Sequence, residues 1–129
     1  MPIRTLRAAA AASLISLLAA ATACVPQQQP PADCAAEAVE RQTTLGANRL
    51  DPSSIDVCRG QRVTLDVVAE QDGVIHLHGY DEEAQATEVH SGETVQLAFV
   101  AARSGQFIIE LHTLSGTAVE VGILTVHEP

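Results

Sequence analysis

The sequence predicts an all-β sandwich or small barrel built as one domain. Three observations point to it. Apolar and polar residues alternate with a period of two over several short runs, as in half-buried strands. Turn dipeptides separate those runs: Asp51-Pro52, Arg59-Gly60, Asp72-Gly73, Ser91-Gly92, Ser104-Gly105 and Ser115-Gly116. Only Ala35 to Val39 favours helix, and it reads as no more than a turn before the first strand.

The elements follow in chain order. Arg4 and Arg7 form the charged start of an export signal, and Ala8 to Ala23 its apolar middle. That run is too short and alanine-rich for a membrane span, which needs roughly 20 strongly apolar residues. It ends in Ala21-Thr22-Ala23-Cys24, which resembles a bacterial lipobox. That resemblance implies that residues 1–23 are removed and that Cys24 is lipidated, although Ala21 stands where the motif usually has leucine. The alternative is plain secretion with a free Cys24 thiol. Residues 24–37 then form the lipidated N-terminus and a tether. Val25-Pro26-Gln27-Gln28-Gln29-Pro30-Pro31-Ala32-Asp33 has no apolar period and suits a flexible spacer. Residues 38–129 form the domain, of a size that suits a single core.

Within the domain, Glu40 to Leu45 and Ser54 to Val57 are the weaker strand candidates. Arg62 to Val68 places Val63, Leu65 and Val67 on one face. In Val74-Ile75-His76-Leu77-His78, Ile75 and Leu77 take the core face, so His76 and His78 point together to the other face. Thr94 to Phe99 groups Val95, Leu97 and Phe99. Gln106 to Leu111 groups Phe107, Ile109 and Leu111. Val119 to Val126 alternates and then slips by one near Gly122, as at a bulge.

Composition excludes several functions. The chain carries 16 acids against 7 bases, all of them arginine, and Arg4 and Arg7 leave with the signal. Nucleic acid is therefore a poor partner. Tyr80, Phe99 and Phe107 are the only aromatics, too few for a stacking surface. No nucleophile–base arrangement and no Gly-rich phosphate loop is visible, so an enzyme is not expected. Asp81-Glu82-Glu83 lacks the ligand spacing of a calcium loop and reads as solvated. Of the three cysteines, lipidation of Cys24 leaves Cys34 and Cys58 as an even pair, which an oxidising compartment would join as a disulfide. The alternative is two free thiols. No Cys-x-x-Cys motif is present, which argues against catalytic disulfide chemistry.

The ordered segments resemble cupredoxin-like domains. Val57-Cys58-Arg59-Gly60-Gln61-Arg62-Val63-Thr64-Leu65 is similar to the opening strand–turn–strand of that fold. His76-Leu77-His78-Gly79-Tyr80-Asp81 follows where the fold puts its first copper histidine. Ser91-Gly92-Glu93-Thr94 with Phe99, Ser104-Gly105-Gln106-Phe107 through His112, and Gly122 to Val126 complete the series. The likeness covers about Glu40 to Val126 and is nearest to small exported bacterial domains with a His-x-His-Gly-Tyr-Asp segment. It implies a cupredoxin-like Greek-key β-sandwich. It does not imply blue copper. Such a site needs two imidazoles, a thiolate and usually a weak thioether. Leu111 stands where the family has its cysteine, Thr113 to Ala118 hold no methionine, and Met1 is the only methionine in the chain.

Histidines remain as metal ligands. By the resemblance, His78 holds the first ligand position and His112 lies near the second, at elements that converge at one end of the sandwich. His76 adds a third nitrogen from the His78 face. Three imidazoles with an open position suit Cu(II) or Zn(II). Asp81 or Glu110 could supply an oxygen or a supporting contact. His76-Leu77-His78-Gly79 also resembles a copper motif of multicopper oxidases, whose other histidine motifs are missing here. His90 reads as a solvated turn residue, and His127 is assigned no role. The expectation is an envelope-tethered domain that binds copper or another transition metal through His76, His78 and His112. It is held to the membrane by lipid, with an unknown protein partner. The alternative is a metal-free accessory or protein-interaction module of the envelope. If Cys24 is lipidated, the mature protein partitions with membranes and Cys24→Ser releases it; an intact mass showing unmodified Cys24 contradicts this.

Overall fold

The computed structural model describes residues 28–129; the expected signal and lipidated Cys24 lie outside them. Nine strands form two sheets that face each other: β1 (Ala38–Gly46), β2 (Arg49–Asp51), β3 (Ser54–Cys58), β4 (Arg62–Ala69), β5 (Gly73–Leu77), β6 (Thr87–Val89), β7 (Thr94–Val100), β8 (Gly105–His112) and β9 (Ala118–His127). One sheet has the order β2-β1-β4-β7 and the other β3-β9-β8-β5-β6. β1 runs parallel to β4 and β3 parallel to β9, whereas the remaining pairs are antiparallel. Among the described residues no helix is long and apolar enough to cross a membrane.

The expected alternation builds the core. Val63, Leu65 and Val67 of β4 and Leu97 and Phe99 of β7 face Ile75 and Leu77 of β5, Ile109 and Leu111 of β8 and Leu124 of β9. None of these is more than 5% exposed. The slip expected near Gly122 is present. Ile109 pairs with Gly122, but Glu110 pairs with Glu120, so Val121 is the extra residue. Glycine is required there by space: a Cβ on Gly122 would lie 2.8 Å from the Ser53 carbonyl oxygen and 2.9 Å from Leu50 Cδ1.

Two strands escaped the sequence reading, β2 and β6, each of three residues. β2 follows a two-residue hairpin loop in which Ala47 and Asn48 both adopt left-handed backbone (φ 51° and 57°). Such turns are usually signalled by Asn-Gly or Asp-Gly, and Ala-Asn carries neither.

The N-terminal segment is fastened to the sandwich before β1 begins. Cys34 and Cys58 are joined as a disulfide, their Cα atoms 5.2 Å apart. Gln61, buried beside them, holds the same turn. Its Oε1 accepts the Cys58 N–H at 2.7 Å, and its Nε2 donates to the carbonyls of Asp33 (2.8 Å) and Ala36 (3.1 Å). Arg41 adds an ion pair to Asp33 at 2.9 Å, and this hydrogen bond holds the Asp33 carboxyl below its ordinary range. Asp33, Cys34 and Ala36, within residues expected to be tether, are thus tied to the sandwich. Cys34 and Cys58 are 24 residues apart in sequence, and closing a loop of that length contributes roughly 3 kcal/mol by restricting the unfolded chain. Cys34→Ala should therefore cost about 2–5 kcal/mol in denaturant unfolding; an unchanged midpoint, or free thiols at both positions, contradicts the pairing.

Candidate metal centre

The pleat decides where the histidines go. Ile75, Leu77, Ile109 and Leu111 are buried in the core, so the residues between them must face outward. β5 pairs antiparallel with β8 in the register Val74–His112, Ile75–Leu111, His76–Glu110 and Leu77–Ile109. The outer face of the five-stranded sheet therefore carries His76 and His78 beside Glu110 and His112. The turn after β5 adds Asp81.

His76 is the hub. Its ring centroid lies 4.4 Å from that of His78 and 6.4 Å from that of His112. Its Nε2 pairs with Asp81 Oδ1. Two sets of three donors each bring one ligand atom per residue within 4.8 Å of the others: His76, His78 and Asp81, and His76, Glu110 and His112. Glu110 is the second bridge. Its Oε1 lies 2.7 Å from His112 Nε2 and 3.4 Å from His78 Nε2. The side chains of His76 and Glu110 are each 24% exposed, against 45% for His78 and 48% for His112. The centre of the cluster is thus its most sheltered part.

This differs from the sequence expectation in one respect. His78 and His112 do not converge directly. Each lies at or just past the C-terminal end of its strand, and antiparallel strands put those ends at opposite ends of the ladder. His78 donates its N–H to the Ile108 carbonyl at 3.0 Å, while His112 faces Val74. His76 and Glu110 fill the space between them. Glu110 was legible only as an oxygen donor of secondary rank. Its spacing of two from His112 places both on one strand face, and that spacing is the signal that could have promoted it.

The turn carrying His78 and Asp81 rests on the chain's only aromatic cluster. Tyr80 is buried, its ring centroid 4.9 Å from both Phe99 and Phe107. Its hydroxyl donates to the Arg103 carbonyl at 3.1 Å. Burial pushes the Tyr80 phenol above its ordinary value. Gly79 needs to be glycine twice over. Its φ is +84°, and a Cβ there would meet Phe107 Cδ1 at 2.7 Å. Asp81 is then fixed by its contact with His76 and by the Gly79 N–H, which donates to Asp81 Oδ2 at 3.2 Å.

The other histidines lie elsewhere. His90 is exposed, 3.7 Å from Glu88 and 3.9 Å from Asp72. His127 has a structural part that the sequence did not suggest. It closes β9, and its Nε2 lies 2.7 Å from Asp56 Oδ1, across the β3–β9 ladder.

With this geometry in hand, solved structures provide the comparison. The chain is similar to auracyanin A, a blue copper protein of Chloroflexus aurantiacus (16% identity, 70% of this chain and 99% of that one, TM-score 0.54). It is also similar to the auracyanin of Roseiflexus castenholzii (17%, 68% and 96%, TM-score 0.52). The fold is cupredoxin-like. The blue copper oxidase of Nitrosomonas europaea is similar as well (19% identity, 71% of this chain, TM-score 0.53), but the chain spans only 39% of that protein's length. No protein-family model and no curated protein sequence matches the chain.

This cupredoxin-like domain lacks the sulfur ligands of blue copper. Leu111, which the sequence resemblance puts where that family has its thiolate, is fully buried and directed into the core. The only sulfurs among the described residues are those of Cys34 and Cys58, joined to each other, with Cys58 on the edge strand β3. A type 1 site therefore does not fit these residues. The nitrogen and oxygen donors outside the sheet fit a borderline divalent ion instead.

The His76 hydrogen bond, ahead of any other cause, holds the Asp81 carboxyl below its ordinary range. A depressed carboxyl contributes stability above its unfolded pKa and loses it as pH falls through the folded value. Asp81 should accordingly titrate below a free carboxylate when followed by carbon NMR, and His76→Ala should move it back up. A titration indifferent to His76 contradicts the pairing.

Proposed function

We propose that this domain is a tethered, extracytoplasmic binder of a divalent transition metal, copper or zinc, and not a blue copper electron carrier or an enzyme. The observation that carries this reading is the convergence of His76, His78, Glu110, His112 and Asp81 on one open sheet face. His76 supplies the central nitrogen, because both sets of donors include it. Glu110 and His112 complete one set, and His78 and Asp81 the other. Each set has three donors and leaves open positions, a common arrangement for Zn(II) or Cu(II) outside closed structural sites. The one carboxylate in each set, Asp81 or Glu110, also offsets part of a double positive charge. Folding does not demand this arrangement: exposed histidine–carboxylate contacts contribute at most about 1 kcal/mol. Tethering rests on the lipobox-like Ala21-Thr22-Ala23-Cys24 and the Pro/Gln spacer, which would hold the metal face away from a bilayer.

Added Cu(II) or Zn(II) should raise the melting temperature, since a ligand bound only to the folded state stabilises it by mass action. His76→Ala should abolish the shift, His112→Ala should abolish or sharply reduce it, and His127→Ala should leave the metal-dependent increment intact. Binding should weaken as pH drops below about 6.5, where protons compete for free imidazole nitrogen. The Cu(II) form should show a weak d–d band with no intense thiolate charge transfer. Absence of copper and zinc binding at micromolar concentration near neutral pH defeats the proposal and favours a metal-free interaction module.

A further inference from the structure

The donor set also distinguishes between the oxidation states of copper. It consists of three imidazoles and two carboxylates, with no thiolate or thioether among the described residues that could join it. Both carboxylates touch a histidine of the cluster: Asp81 pairs with His76, and Glu110 Oε1 lies 2.7 Å from His112 and 3.4 Å from His78. An ion seated among these rings would thus lie beside one or both negative charges. The site lies on an open sheet face, with side chains 24–53% exposed, so water can complete the coordination sphere. No enclosing wall imposes a geometry suited to both oxidation states.

Resting on the metal reading above, we infer that this centre holds Cu(II) and releases copper on reduction to Cu(I). Cu(I) is the softer ion and favours thiolate and thioether sulfur, of which the face has none. It also carries one unit of positive charge less, so each carboxylate attracts it less. At contact distance in a partly solvated site that lost attraction amounts to about tenfold in affinity per carboxylate. The step is a one-electron transfer. An external reductant of the ascorbate class gives one electron to Cu(II), which becomes Cu(I). The metal–ligand bonds would then break, Cu(I) would pass to an external ligand, and no protein residue is oxidised. Each tenfold preference for Cu(II) lowers the potential of the bound couple by about 59 mV.

The test uses the exported protein and copper itself. Cu(II) affinity is measured by competition with glycine. Cu(I) affinity is measured anaerobically with ascorbate present, by competition with bicinchoninate. Cu(II) should bind at least about tenfold more tightly, the contribution of a single carboxylate. Ascorbate should release copper from the loaded protein but leave bound Zn(II) in place, because zinc has no redox chemistry. The double variant D81N/E110Q retains the shape of both side chains and should narrow the Cu(II)/Cu(I) ratio by at least about tenfold. Equal affinities, or tighter Cu(I), overturn the inference even if the variant fails to fold, since the wild-type ratio stands alone. Failure to bind either Cu(II) or Zn(II) overturns the metal reading itself, Zn(II) binding without Cu(II) binding overturns this inference alone, and the failures are thereby distinguished.

Discussion

The pairing of β5 with β8 is the constraint from which the rest follows. Ile75, Leu77, Ile109 and Leu111 fill the inner face of that ladder and are wholly buried. Full burial of such side chains contributes about 1.5–3 kcal/mol each. Slipping one strand by one residue would turn its two apolar residues outward and two polar ones inward. For both strands together the loss is roughly 6–12 kcal/mol, comparable to the entire stability of a small domain. The register is therefore set by the core. His76, His78, Glu110 and His112 are brought together as a consequence, without having to stabilise anything themselves.

Two further devices keep that face in order. The scarce aromatics are all placed under the turn after β5, where Tyr80 packs on Phe99 and Phe107 while its hydroxyl is tied to Arg103. That packing positions His78 and Asp81 at the end of a strand that would otherwise fray. At the far side of the sheet, the Cys34–Cys58 disulfide, the buried Gln61 amide and the His127–Asp56 pair hold β3 and the N-terminal turn together.

Much of this was legible in the residues, for a physical reason. Period-two alternation reports directly which side of a sheet is buried, and it located seven of the nine strands and the outward direction of His76 and His78. β2 and β6 were too short to carry a period, and the Ala47-Asn48 turn has none of the usual residue signals. Pairing direction is not written in alternation at all. Without it, His78 and His112 could be imagined side by side. The antiparallel ladder separates them, and only the register shows Glu110 opposite His76. The role of His127 was hidden for the same reason, since its partner Asp56 comes from a strand 71 residues away. The missing blue-copper ligands, in contrast, could be read from sequence, because the absence of cysteine and methionine does not depend on pairing.

The central claim is that one strand register assembles a metal centre around His76 on the outside of a cupredoxin-like sandwich. Ring-nitrogen NMR during titration with Zn(II) tests it most directly, because it reports each imidazole separately and needs no colour or redox change. The account requires the ring nitrogens of His76, His78 and His112 to shift toward metal-bound values, with His76 responding at the lowest zinc level, while His90 and His127 stay unchanged. Shifts confined to His90 or His127, or none at any histidine, would contradict it.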